Sequence, residues 1–390
     1  MRSTDKSKSV DYYDKYFKYK SKYLNFKNNI WQVGSADNMT NPTNDLIIDQ
    51  FNKLIKQIRA EYFNALIEND AEEMLSHSYR LKQIKKSLST ILSLDYEITS
   101  EDDVKGIPGI GKGTLNRIKE ILEKGSLSEL QKKYDAKKQA KINSIQELLN
   151  IYGVGEGLAR RLLIEHGIRN VDEFKEAVDK GKIRVNRQIK LGLKYYKKLK
   201  TNIPRSEIKE IEKYLVKKAK EVDKDLHVLL CGSYRRGKLI SSDIDVMIYH
   251  PDVKYVRHLY RLEDYGFKPY LELFVELLTK DGFLLDNLSM DKMKYMGFCK
   301  YKSNPVRRID ILFMPSHSLP AALLYFTGPA RLNEEMRTRA KKRDMTLNEY
   351  GLFIVDSQGR RYPVPVNSEK DIFEELDMKY LTPEERELYN

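Results

Sequence analysis

The sequence predicts an α+β protein, helical in its N-terminal half and built on a sheet in its C-terminal half. Three observations predict it. Apolar residues in 46–94 recur at helical spacing. Two Gly-x-Gly turns, Gly109-Ile110-Gly111 and Gly153-Val154-Gly155, each lie between an apolar helix end and a new helical run. Short apolar runs at 226–230, 246–248 and 308–313 read as strands, and acids accompany two of them.

At 390 residues the chain has room for two or three domains, and 41% hydrophobic content supports real cores. Lys and Arg number 70 against 57 Asp and Glu, a net charge of +13. That balance points to an anionic partner, nucleic acid first, because neutralising phosphates supplies most non-specific affinity. The two cysteines, Cys231 and Cys299, lie in strand-like apolar contexts. They are expected as buried free thiols of an intracellular, reducing compartment, with nucleus, cytoplasm and virion left undistinguished. No apolar run reaches 18 residues and no secretory h-region opens the chain, so no membrane contact is expected.

Residues 1–44 are basic and Tyr-rich: Tyr12, Tyr13, Tyr16, Tyr19 and Tyr23 alternate with lysines, and Trp31 follows. Basic residues interleaved with aromatics can bind phosphates and stack on bases, but the segment reads first as a mobile, partly helical tail. From 46 onward Phe51, Leu54, Ile55 and Ile58 mark one helical face, and 75–94 gives one or two further helices, on which His77 is expected as a solvated side chain. At each glycine turn the two glycines allow a tight bend that lets N–H groups at the next helix start face a phosphate. Two such turns about forty residues apart in a basic chain would grip DNA without regard to sequence. A helix is expected at 206–222 with Ser206 as its cap.

The chemistry concentrates after the strand at 226–230. Cys231-Gly232-Ser233-Tyr234-Arg235-Arg236-Gly237 forms a Gly-Ser turn, and Asp243-Ile244-Asp245 opens the next strand. Strand alternation puts both carboxylates on one face, a costly arrangement unless cations sit between them. A third acid, Asp310, lies in the run Arg308-Ile309-Asp310-Ile311-Leu312-Phe313. Three acids on neighbouring strands are the protein half of a two-Mg²⁺ site. The Gly-Ser turn with Arg236 suits a phosphate. The implied chemistry is attack on a nucleoside triphosphate with release of pyrophosphate.

These motifs carry a resemblance. Gly232-Ser233-Tyr234-Arg235-Arg236-Gly237 with Asp243 and Asp245 resembles the nucleotidyltransferase signature of the family X DNA polymerases, those like DNA polymerase beta. Residues 307–311 resemble that family's third-carboxylate strand, and Leu324-Tyr325-Phe326-Thr327-Gly328 its sugar-binding segment. The resemblance runs from about residue 45 onward. It implies a lyase-like helical domain with the first helix-hairpin-helix at 45–130 and a fingers-type domain with the second at 131–205. A mixed-sheet palm would follow at 206–318 and a thumb-side α/β subdomain at 319–390.

It also implies roles. Asp243, Asp245 and Asp310 would be catalytic and hold two Mg²⁺ (or Mn²⁺), Asp310 also taking the primer 3′-OH proton. Ser233, Arg236, Ser241 and Ser242 would hold the triphosphate. Ser242 stands where polymerase beta has glycine. Tyr325, Phe326, Gly328, Ala330 and Asn333 would meet the sugar and base of the dNTP, and Arg337 the template. Glu334 and Glu335 stand where a basic residue is expected, which would weaken template stacking. Gly109, Gly111, Lys112, Gly153, Gly155 and Arg117 would contact DNA, with K⁺ or Na⁺ on the hairpin carbonyls. The junction before Pro329 is expected to be a cis peptide. One departure stands out: Arg117 occupies the position of the family's Schiff-base lysine. A guanidinium stays protonated and is no amine nucleophile, so the lyase nucleophile is left unknown and 5′-phosphate binding is the expected role of Lys112 and Arg117.

The implied function is template-directed filling of short gaps in base excision repair, by a monomer acting on nicked or gapped duplex beside a repair endonuclease or ligase. The alternatives are a template-independent tailing transferase, disfavoured by the short connection at 300–305, and a catalytically weak end-bridging module, disfavoured by the full set of acids. The Lys, Asn, Ile and Tyr bias suggests an AT-rich genome, with a large DNA virus among the candidates.

Overall fold

The structure, a computed structural model, describes residues 42–389 apart from 93, 95, 132, 133, 200 and 201. The Tyr-rich tail lies almost wholly outside the described residues. The chain divides into two compact units: residues up to Leu149 with Val154–Phe174, and Asn150–Gly153 with Lys175 onward. Each is taken by itself.

The first unit is helical: α1 (Pro42–Glu68), α2 (Ala71–Leu92), α3 (Lys112–Lys124), α4 (Ala136–Leu149), α5 (Glu156–Ile164) and the start of α6 (Val171–Asp179). The helical face expected on α1 is its core face. Ile47, Phe51, Leu54 and Ile58 are fully buried and cluster with Ile84 and Ile91 of α2 and Ile118 and Ile121 of α3. Each such burial is worth about 1.5–3 kcal/mol, so one continuous stripe fixes α1 against two partners.

The second unit holds α7 (Arg187–Tyr195), β1 (Ile203–Pro204), α8 (Arg205–Val222), β2 (His227–Leu230), α9 (Gly232–Arg235), β3 (Ile240–Ser241), β4 (Ile244–Tyr249), α10 (Val256–Tyr260) and α11 (Tyr270–Lys280). Next come β5 (Leu284–Met290), β6 (Lys294–Cys299), β7 (Arg307–Phe313), α12 (Leu319–Thr327), α13 (Ala330–Lys341), β8 (Met345–Asn348), β9 (Gly351–Val355), β10 (Arg361–Pro363) and α14 (Glu369–Glu375), then a turn Glu385–Tyr389. The main sheet has the order β2-β4-β7-β6-β5. Only β4–β7 is parallel, so the sheet is mixed and the α+β expectation holds. A second sheet runs β10-β9-β8.

The period of two along β4 and β7 decides what each face does. Ile244, Val246, Ile248, Ile309, Ile311 and Phe313 point into a core with Ile208, Ile211 and Leu215 of α8 and Phe274 and Leu278 of α11. The alternate residues, Asp245, Met247 and Asp310 among them, face the other way. There Met247 packs with Cys231, Met314 and Ala322 of α12.

One expectation needs correction, and two details go beyond the sequence reading. Ser206 is no cap: α8 starts at Arg205 after Pro204, which makes no side-chain cap. The cause is the β1–β3 ladder, since Arg205 N–H already donates to Leu239 O (2.8 Å) and needs no capping oxygen. The expected Gly-Ser turn takes the form of a single helical turn, α9. Strand β5 was not expected, because its Leu-Leu-Asp-Asn-Leu-Ser-Met sequence breaks alternation. The ladder to β6 shifts register twice to accommodate it. Among the described residues no helix is long and apolar enough to cross a membrane.

Candidate active site

Parallel pairing of β4 with β7 sets Ile244 opposite Ile309 and Asp245 opposite Asp310. Adjacent strands lie about 4.8 Å apart, and Asp243 immediately precedes β4. The three acids therefore lie together on one face of two neighbouring interior strands. Burial pushes the Asp245 carboxyl up to about 7, and the charges of Asp243 and Asp310 add to the rise against Arg236 and Arg308. Burial also raises Asp310, with Asp243 adding to it. Arg308 opposes this: its Nη2 donates to Asp310 Oδ1 at 2.7 Å. A half-buried set of three acids, two of them held above the usual carboxylate range, fits divalent cations with oxygen ligands.

The three acids do not close on one point, as a single-ion cage would. Among the described residues the one trio with ligand atoms all within 4.8 Å is Asp223, Asp225 and His250, beyond the opposite end of β4. A protein cation already serves that group. Lys268 Nζ lies 2.9 Å from Asp223, and this ammonium with the Asp225 backbone N–H holds the Asp223 carboxyl down at about 2. His250 Nδ1 accepts the Asp252 N–H, which leaves Nε2 as the protonated nitrogen facing Asp223 (3.6 Å).

The loop after β2 is tied to the acids. Cys231 N–H donates to Asp245 O (2.8 Å), and Gly232 follows at φ +57°. A Cβ on Gly232 would lie 1.9 Å from Asp245 Oδ2. Gly232→Ala is therefore expected to push Asp245 aside and cost at least about a hundredfold in activity, since an ångström of misplacement has that effect. Retained activity with an unchanged melting temperature would show that Asp245 has freedom to move. Ser233 Oγ donates to Ser241 Oγ (2.7 Å), and Ser242 Oγ to Asp243 Oδ1 (3.2 Å). Among the described residues the non-glycine positions with positive φ are Asn69, Lys302, Asp344 and Asp377, so Ser242 sits where it does without that backbone strain. Both thiols are buried and unbridged, and burial pushes Cys231 up to about 12.

On α12 and α13 lie the remaining residues that the resemblance assigns to the nucleotide side. Tyr325 and Phe326 meet edge to face at 4.9 Å. The Gly328–Pro329 bond is cis, as expected. Ala330 opens α13. Asn333 is buried and gives its Nδ2 to Tyr325 O (2.8 Å), and the Arg337 guanidinium lies 5.5 Å over the Tyr325 ring. Asn333 and Arg337 thus brace Tyr325.

In the first unit, Gly109 takes φ +101° and Gly111 caps α3. The second hairpin repeats the arrangement, with Gly153 at φ +86° and Gly155 capping α5. Lys112 is exposed. Arg117 is not open: it pairs with Glu129 through Nε and through Nη2 (3.1 Å). Burial would raise Glu129, but Arg117 and Arg80 outweigh it and hold that carboxyl below the usual range. His77 departs from the solvated reading, lying between Glu73 (2.8 Å) and Glu61 (3.4 Å).

Four family models match in order along the chain. A helix-hairpin-helix domain covers 42–127, the fingers domain of DNA polymerase lambda 146–200, the DNA polymerase beta palm 202–316 and the DNA polymerase beta thumb 322–387. The chain belongs to the family X DNA polymerases. Rat DNA polymerase lambda is 31% identical over 336 residues, covering 81% of this chain and 55% of the relative. DNA polymerase lambda of Arabidopsis thaliana is 30% identical over 360 residues, 88% of this chain and 62% of the relative. Human DNA-directed DNA/RNA polymerase mu is 26% identical, over 79% of this chain and 64% of the relative. The chain thus spans less than two thirds of the length of these family X relatives.

The geometry adds residues the sequence reading missed. Arg308 holds Asp310. Its signal was present, because residues two apart on a strand share a face. Arg235 pairs with Glu369 (2.6 Å), which also takes the fully buried Arg386 (2.7 Å). Nothing local in the sequence marks that triad.

Proposed function

We propose that the chain is a template-directed DNA polymerase that fills short gaps in DNA repair, transferring a nucleotide from a dNTP to a primer 3′-OH. The observation that carries this reading is the pairing of Asp245 with Asp310 beside Asp243, next to a loop that offers Ser233 and Arg236 to a phosphate chain. Asp243, Asp245 and Asp310 would hold two Mg²⁺, or Mn²⁺, which when bound stabilise the charge on the reacting phosphate oxygens. Asp310 takes the 3′-OH proton as the general base. The 3′ oxygen bonds to the α-phosphorus, the bond to the β-phosphate bridging oxygen breaks, and pyrophosphate leaves with its electrons. Ser233, Ser241 and Arg236 orient the triphosphate. Tyr325, Phe326 and the Gly328–Pro329 turn border the sugar, and Asn333 and Arg337 lie toward the base pair.

The hairpins support a sequence-independent grip on either side of a gap, through backbone N–H groups at the α3 and α5 starts and a K⁺ or Na⁺ on hairpin carbonyls. A repair endonuclease would supply the gap and a ligase would seal it. The connection of β6 to β7 spans only residues 300–306, which supports templated synthesis. Arg117 offers no amine for sugar cleavage.

The test is extension of a one-nucleotide gap carrying a 5′-phosphate, with single dNTPs and Mg²⁺. Only the complementary dNTP is expected to be added, and chelation with EDTA is expected to stop it. Addition of every dNTP would indicate a tailing transferase. No addition would leave an end-bridging protein.

A further inference from the structure

The turn Glu385–Tyr389 brings a carboxylate to the phosphate-binding loop. Arg236 Nε donates to Glu387 Oε2 at 2.7 Å, and Arg236 Nη1 donates to Thr327 O at 2.6 Å. Lys238 Nζ lies 2.6 Å from Glu387 Oε1. The turn itself is anchored one residue earlier. Arg386, fully buried, donates to Leu381 O (3.0 Å) and to Glu369, the same carboxylate that takes Arg235. Neighbouring arginines of α9 and its cap, Arg235 and Arg236, are therefore each fixed by an acid from the 369–387 region.

The geometry points to Glu387 as a positioning residue for polyphosphate recognition. With the Thr327 carbonyl it sets the plane of the Arg236 guanidinium, leaving the Nη2 end of the fork to face a phosphate oxygen. This deepens the proposed function and rests on its reading of Arg236 as a triphosphate contact.

A guanidinium has five donors in one rigid plane, so two fixed bonds, at Nε and Nη1, fix the direction of the others. Arginine is a long side chain whose ordering opposes binding, and a site that has ordered it beforehand removes that cost from the nucleotide's affinity. A carboxylate beside a triphosphate would ordinarily repel it. Here Lys238 neutralises the second oxygen of Glu387, so the group Arg236, Lys238 and Glu387 keeps one net positive charge. Arg236 is also largely covered, 11% exposed against 28% for Glu387, so the pair is held where water screens it little.

The experiment is gap filling by the full chain with KM for dNTP and kcat measured separately, for Glu387→Ala, Glu387→Gln, Arg236→Ala and the double variant Arg236→Ala/Glu387→Ala. Glu387→Ala is expected to raise KM by about tenfold while kcat changes by less than about threefold, as loss of a charge-assisted positioning bond would do. Glu387→Gln keeps a carbonyl acceptor for Nε and is expected to recover most of the loss. In the Arg236→Ala background, removing Glu387 is expected to change nothing further. A fall in KM for Glu387→Ala would mean the carboxylate competes with the triphosphate, and an unchanged KM would mean the contact is idle. Either overturns the inference while leaving the function intact, provided Arg236→Ala itself raises KM. An unchanged KM in Arg236→Ala would overturn the reading of Arg236 as well. Melting curves of the single variants keep a folding defect from being read as lost positioning.

Discussion

Asp310→Asn is expected to lower nucleotide addition by at least about a thousandfold, some 4 kcal/mol of transition-state stabilisation, while binding to gapped duplex changes less than about twofold. The amide keeps the shape of the side chain and an oxygen for Arg308 Nη2, now 2.7 Å from Asp310 Oδ1, so β7 retains its place between β4 and β6. On the proposed function, what is lost is a negative charge for the divalent ions and the acceptor for the 3′-OH proton. Single-turnover extension alongside fluorescence anisotropy on the same gapped substrate checks both halves. Residual addition above about a tenth of the parent rate would remove Asp310 from the chemistry and leave the site without its base.

Asp245→Asn is expected to do the opposite to the metal-free fold: stabilise it, most strongly in alkaline buffer. Burial, with Asp243 and Asp310 beside it, lifts this carboxyl to about 7. In the unfolded chain an aspartate titrates near 3.9. Below that value the group is protonated in both states and costs nothing. As pH rises toward 7 the unfolded state releases its proton first, so folding stability falls across that window and stays low above it. A rise of this size is worth on the order of 4 kcal/mol. Asparagine mimics the protonated form throughout. In EDTA the melting temperature of the variant should exceed that of the parent at pH 8, and the two should converge near pH 4. A variant less stable than the parent at pH 8 would mean the carboxylate is satisfied by groups other than added cations.

Much of the site was legible because strand periodicity and turn chemistry are local. Asp243 and Asp245 are two apart, Gly232 and Ser233 sit where a strand ends, and Asp310 is flanked by Ile309 and by Ile311-Leu312-Phe313. The hairpins were legible for the same reason, since Gly109 and Gly153 take backbone angles that side chains rarely allow. What could not be read were pairings made at long range. Arg235 finds Glu369 across 134 residues and Arg236 finds Glu387 across 151, distances at which no period survives. The fate of Arg117 depended on Glu129, which lies on a separate turn after α3 and is shared with Arg80. Ser206 failed as a cap for a different reason. The backbone it would have served had already been claimed by the two-residue ladder of β1 with β3.

The parallel register of β4 with β7 ties the order of assembly to the chemistry. Parallel neighbours cannot be joined by a hairpin and require a crossover. Here α10, α11, β5 and β6 intervene before β7 slots between β4 and β6. A nascent chain carries Asp243 and Asp245 well before the strand that completes the trio is made, and non-local strand pairing is the slow part of building a sheet. Competence is thus among the last properties the growing chain acquires. On the proposed function, an incomplete or locally opened molecule, with its central strand out of place, would hold on to a broken duplex through its hairpins without being able to write into it.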